Sequence, residues 1–109
     1  LIPAEVTSPK SLEHAELGTI TGNFIKKIPI GSKVKLLIQP EDLQHDDKSN
    51  LKLEVVDIKF RGTSFIYTLK TKTNELVPVL VHSHHIHKHK LNDKFGIKRP
   101  IHIDHIVCF

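Results

Sequence analysis

A single cysteine, Cys108, stands in a chain of 109 residues. No internal disulfide is available to staple the fold, and a reducing compartment is the simpler setting. No run approaches the ~18 apolar residues that a membrane-spanning helix needs. The common phosphate cradles are missing too: neither G-x-x-x-x-G-K-[ST] nor G-x-G-x-x-G occurs. That excludes the standard routes to nucleotide hydrolysis by this chain. No G-x-S-x-G elbow presents a serine nucleophile. The opening Leu1-Ile2-Pro3 has no Met, no basic n-region and no apolar h-region. The expectation is a chain without a signal peptide there, either processed or cut from something longer.

What remains supports one modest core. Hydrophobic residues make up 39%, and a chain of this length is expected to form a single domain over 1–109. Lys and Arg exceed Asp and Glu by 16 to 12, a smaller and less clustered excess than a nucleic-acid footprint shows. Most of it lies in the second half, where ten basic residues face five acidic ones, against six and seven in residues 1–50. Solvated lysines on strand edges account for such a bias through protection against aggregation.

Five glycines and six prolines cut the chain into pieces that rarely leave room for three helical turns. The pieces read as strands. Lys33 to Gln39 begins in alternation and becomes continuously apolar. Leu51, Leu53 and Val55 share one face, and Ile58 and Phe60 continue after a change of phase at Val55-Val56, which predicts a bulge. Beyond an Arg61-Gly62-Thr63 turn, Phe65, Tyr67 and Leu69 share a face. A tight turn at Lys72-Thr73-Asn74 leads to Leu76–Val81, where Pro78 points to an edge strand. A final extended piece covers 101–109. Two short helix candidates remain, Ser11–Glu16 and Pro40–Leu43, and Gln44–Asn50 reads as a solvated loop. The fold class is all-β: a small OB-like barrel of about five main strands, with a long coiled, bulged strand and short extra strands.

Candidate chemistry is thin. Cys108, between Val107 and Phe109, reads as a small apolar side chain near a strand end. The adjacent carboxylates Glu41 and Asp42 read as solvent-facing, not as an acid/base pair. The compositional anomaly is histidine, with seven of nine between His82 and His105. An extended chain aligns His85, His87 and His89, with His82 and His84 opposite, whereas a helical turn aligns His82, His85 and His89. Either set offers imidazoles to Zn, Ni or Cu. No Cys or carboxylate lies at ligand spacing, the nearest downstream acid being Asp93, and Lys88 and Lys90 interleave the imidazoles. The segment therefore reads as a polar connection, and no metal site is assigned; His85, His87 and His89 are the residues one would use. His105 alternates with Ile103, Val107 and Phe109 and is expected half-buried on an apolar face. Most of the aromatics, Phe65 and Tyr67 among them, fall on apolar faces as core. Exposed, those two would stack bases, so a free-standing single-stranded nucleic-acid module stands as the alternative. A metal-storage or metal-sensing domain built on residues 82–89 is a third reading.

The run from Ile30-Gly31-Ser32-Lys33-Val34 through Leu36-Leu37-Ile38-Gln39-Pro40-Glu41-Asp42-Leu43 resembles the Gly-x-x-Val-x-Leu-x-Ile-Arg-Pro-Glu-Asp signature of TOBE domains. Phe60-Arg61-Gly62 followed by Tyr67-Thr68-Leu69 is similar to that family's strand pair. Gly96-Ile97 and the ending Asp104-His105-Ile106-Val107 with Phe109 are similar to its last strand, and Leu1-Ile2-Pro3-Ala4 to the segment after an ATPase domain. Ser83-His84-His85 with His87, together with the Asp104-His105 ending, resembles the ferric-iron importer branch. The resemblance implies a non-catalytic C-terminal domain of the ATP-binding subunit of a bacterial ABC importer, at the cytoplasmic face of the inner membrane. It implies no cofactor in this chain, with ATP and Mg in the parent ATPase domain. The implied partners are that ATPase domain, a second copy and, indirectly, the membrane subunits, with no nucleic acid. Gln39, Pro40, Glu41 and Asp42 are its implied contact residues. Gln39 departs from the usual Arg, and an amide does not replace a five-donor guanidinium.

Overall fold

The computed structural model describes residues 1–82 and 90–109. Nine strands succeed one another: β1 (Ile2–Ser8), β2 (Ser11–His14), β3 (Gly18–Phe24), β4 (Lys33–Leu36), β5 (Lys52–Arg61), β6 (Ser64–Lys70), β7 (Leu76–His82), β8 (Lys94–Gly96) and β9 (Ile101–Ile106). They fall into two compact units, Leu1–Ile38 with Pro100–Phe109, and Gln39–Arg99. No helix occurs among the described residues, and none is long and apolar enough to cross a membrane.

In the first unit the alternation is strict. Ile2, Ala4 and Val6 point inward from β1, and Pro3, Glu5 and Thr7 point outward. Leu12 and His14 do the same for β2, and Ile20 for β3. The strand order is β4-β1-β2-β3-β9, antiparallel except where β3 runs parallel to β9. The ladder then returns to its start. Lys35 and Phe109 exchange backbone hydrogen bonds of 2.9 Å, and the Leu37 N–H donates to Val107 at 3.0 Å. A bridge joins Leu36 to Cys108. Five strands thus close on themselves, a ring that leaves no free edge. Gly22 makes the parallel pairing possible: a Cβ there would lie 1.8 Å from the Ile103 carbonyl oxygen.

The second unit is a four-stranded antiparallel sheet in the order β7-β6-β5-β8. Leu53, Val55, Tyr67, Leu69, Val77, Val79 and Phe95 supply its buried side chains. The register of β5 on β6 slips between Val55, opposite Leu69, and Asp57, opposite Thr68. This is the expected bulge, and Val56 is its extra residue. The Val55 N–H and C=O are taken by Asp93 and Asn92 at 2.9 and 2.8 Å. Pro78 sits on the edge strand β7, where a missing N–H breaks no ladder bond.

The all-β class and the five-stranded barrel are present, and so is the long bulged strand. Several local expectations need correction. Ser11–Glu16 is no helix: Ser11–His14 form β2, paired on both sides, because two neighbouring ladders outweigh one capped turn. Pro40–Leu43 makes a single turn. The strand from Lys33 stops at Leu36, short of Gln39. His105 is exposed, and Ile106 takes the inward place. The register shift between Gly22 and Phe24, opposite Ile103 and Ile106, inserts a residue and reverses the parity that put His105 inside. The coiled strand is β5, in the sheet of the second unit.

Candidate functional site

The 30–43 signature ends in the turn at Gln39–Asp42. Pro40 follows Gln39, where its fixed φ suits the second position of a type I turn. The Asp42 N–H donates to the Gln39 carbonyl at 3.0 Å, and the Gln39 N–H donates back to Asp42 Oδ2 at 2.8 Å. A carboxylate three residues on thus satisfies the first amide, as in a capping box. The Leu80 N–H donates to the Pro40 carbonyl at 2.8 Å and ties the turn to β7. Of the four implied contact residues, Pro40 and Asp42 build the turn. Gln39 and Glu41 stand exposed on it.

Beside the turn lies a groove of about 590 Å³. Leu43, Leu80 and Val81 give it apolar lining, and Glu41, Asp46 and Asp47 give it negative charge. His45, also in the lining, corrects the expectation of a solvated 44–50 loop. Its side chain is 8% exposed with Nε2 2.7 Å from Asp47 Oδ1, and its ring lies 4.4 Å from that of Phe95. A bridge to Ile97 fixes its backbone. The signal was a lone ring in a polar run, which alternation does not detect.

From Phe95 a series of rings leads outward. Tyr67 lies 5.0 Å from Phe95 and 6.3 Å from Phe65, and Phe65 lies 5.0 Å from Phe60, centroid to centroid. Burial grades along it, from Phe95 at 0% exposed through Tyr67 at 3% to Phe60 at 61%. Burial pushes the Tyr67 phenol up from its ordinary value. A ring that is covered cannot stack a base, so the nucleic-acid alternative loses Tyr67. Phe65 is half-buried.

His85, His87 and His89 lie outside the described residues, with Ser83 and His84. Among the described residues no group of three or more His, Cys, Asp or Glu side chains is placed to hold a metal. Cys108 is half-buried, and burial pushes its thiol up, away from the thiolate that nucleophilic chemistry requires.

One series escaped the sequence reading. Thr21 Oγ1 lies 3.0 Å from His102 Nδ1, and His102 Nε2 lies 3.3 Å from Asp104 Oδ1. The order hydroxyl, imidazole, carboxylate is that of an activated nucleophile. However, the His102 and Asp104 side chains are 57% and 84% exposed. Nothing keeps water from such an outer sheet face, and the three form a surface hydrogen-bond chain.

Fold and site together define a small all-β module of OB type, with a groove and a self-capped turn. The TOBE domain family matches residues 36–98, more than half of the chain. The chain belongs to that family, whose domain is itself non-catalytic. A search of curated proteins gave no match.

Proposed function

We propose that this chain is the regulatory and assembly domain at the C-terminal end of the ATP-binding subunit of an ABC-type solute importer, in the ferric-iron branch. The observation that carries the reading is the TOBE match over residues 36–98. The ordered Gln39-Pro40-Glu41-Asp42 turn and the phosphate loops absent from the sequence fit a domain that assists hydrolysis and does not perform it. ATP and Mg belong to the preceding ATPase domain, and the domain works at the cytoplasmic face of the bacterial inner membrane without entering it. The iron assignment rests on the resemblance of Ser83-His84-His85 with His87 and of the Asp104-His105 ending.

A second copy is the chief partner. A barrel and a sheet from each subunit supply a lasting contact while ATPase domains open and close. Light scattering behind size-exclusion chromatography tests this, with a dimer expected at high micromolar concentration; a strict monomer there overturns the pairing. The coding sequence upstream of Leu1 tests the rest. A nucleotide-binding domain is expected there, and an unrelated neighbour overturns the importer reading.

A further inference from the structure

Two surfaces of this chain complement each other. The first is the loop between β3 and β4, where Ile25 and Ile30 are 64% and 63% exposed. It is held at both ends. The Ile25 N–H donates to Ile106 at 3.2 Å, the Gly31 N–H to Val6 at 2.7 Å, and the Ser32 N–H to Pro29 at 3.2 Å. Lys26 and Lys27 stand exposed between the two isoleucines. From Leu17 to Pro40 the sequence has no carboxylate at all, so nothing in the loop neutralises them. The second surface is the groove in the 39–99 unit, apolar at Leu43, Leu80 and Val81 and acidic at Glu41, Asp46 and Asp47.

We propose that two copies of this chain pair by seating the 25–30 loop of each in the acidic groove of the other. The proposal rests on the pairing reading above and names the surfaces that carry it. Every copy bears both halves, so a pair in which each loop enters the other copy's groove makes two equal contacts. Ile25 and Ile30 supply apolar area for Leu43, Leu80 and Val81, while Lys26 and Lys27 meet Glu41, Asp46 and Asp47. Loop anchoring lowers the ordering cost of docking. Opposite charge fixes the register and excludes the loop-to-loop pairing that two lysine-bearing tips would resist.

Charge reversal with mixing tests it. Lys26→Glu/Lys27→Glu reverses the loop, and Glu41→Lys/Gln44→Lys/Asp46→Lys reverses the groove, from three formal negative charges to a net two positive, without touching the Asp42 turn or the His45–Asp47 contact. Each variant alone is expected to pair at least about tenfold more weakly than wild type, since both of its contacts oppose like charges. In an equimolar mixture one contact is reversed on both sides and the other is wild type on both sides, so the pair re-forms. Ile25→Ser/Ile30→Ser, with charge unchanged, also weakens pairing, and far-UV circular dichroism checks that every variant keeps its β signal. Sedimentation velocity reads the outcomes. Reversal or serine variants that pair like wild type overturn these surfaces while pairing itself stands. A mixture that stays monomeric, or growth beyond two copies, overturns them as well. A wild type that is monomeric at high micromolar concentration overturns the surfaces and the pairing reading together.

Discussion

The two units pack their strands with different materials. The buried side chains of the 1–38/100–109 unit are aliphatic apart from His14, and they sit on five strands closed into a ring. The 39–99 unit places Phe95 and Tyr67 among its aliphatics, and its sheet is open. Connectivity differs as well. Strands β5, β6 and β7 are hairpin neighbours joined at Gly62-Thr63 and Lys72-Asn74. The ring depends on partners far apart in sequence, such as Ile20 opposite Ile101 and Lys35 bonded to Phe109. One unit is therefore specified mostly by local turns, and the other by where distant segments meet. The family match, at residues 36–98, falls almost wholly on the locally specified unit.

The largest effect should come from the backbone crossings that each unit leaves to glycine. A Cβ at Gly22 would lie 1.8 Å from the Ile103 carbonyl oxygen, and one at Gly96 would lie 2.0 Å from that of Asp46. Both distances are impossible, so a chain segment must move. At Gly22 the segment is β9, held by the parallel ladder and by the closure onto β4. Gly22→Ala is expected to cost about 4 kcal/mol or more, in the range reserved for named severe defects. At Gly96 it is the 44–50 loop, which has fewer ladder bonds to lose, and Gly96→Ala should cost roughly 2–3 kcal/mol. Denaturant unfolding followed by far-UV circular dichroism measures both. A Gly22→Ala protein within about 1 kcal/mol of wild type would mean that the ring closes loosely, and the contrast between the units would fail.

That contrast also explains what could be read in advance. The β5–β6 bulge, the two hairpin turns and the edge position of Pro78 each follow from residues within a few positions of one another. The small barrel is legible as a class, whereas the strands before Gly31 are not. Ile2, Ala4 and Val6 alternate as plainly as Leu51, Leu53 and Val55, yet Pro3 and Pro9 and the polar Ser11–Glu16 run concealed them. β8 is three residues long, too short for any period. His105 failed for a related reason, since the slip in β9 exists only through pairing with β3. Near the groove, Pro40-Glu41-Asp42 marks a break in the strand that is local chemistry, though the sequence suggests a short helix where the chain makes a turn. The groove itself was not legible, because it joins residues 41–47 to 80–82, and only folding brings these together.

A smaller effect belongs to the one imidazole buried in the aliphatic unit. His14 is 2% exposed, and its Nδ1 accepts the N–H groups of Glu16 and Leu17 at 3.1 and 3.0 Å. The ring thereby closes the turn from β2 into β3, and both bonds require Nδ1 without a proton. His14→Leu keeps the apolar volume but orphans two amides, of which that of Leu17 is buried. The expected loss is about 2 kcal/mol, since a buried donor left without its acceptor keeps its desolvation cost. Hydrogen exchange at Leu17 should quicken more than exchange at Leu69 in the other unit. Equal quickening at both would show that the imidazole acts on the whole chain and not on its own turn.

The smallest effect lies on the aromatic side and appears only in alkali. Burial raises the Tyr67 phenol above its ordinary value of 10.0, so the folded chain holds that proton more tightly than the unfolded chain does. Below pH 10 both states carry the proton, and Tyr67 adds no slope. Above it the unfolded state releases the proton first, and stability falls as pH rises, until the folded phenol also ionises. Tyr67→Phe removes that hydroxyl and should flatten the decline. Tyr67 is the single tyrosine and there is no tryptophan, so the phenolate absorbance near unfolding reports this group alone. A phenol that titrates at its ordinary value in the folded chain would mean that water reaches it. The ring series from Phe95 to Phe60 would then be open at its second member, and the two units would differ less in their interiors than in their connections.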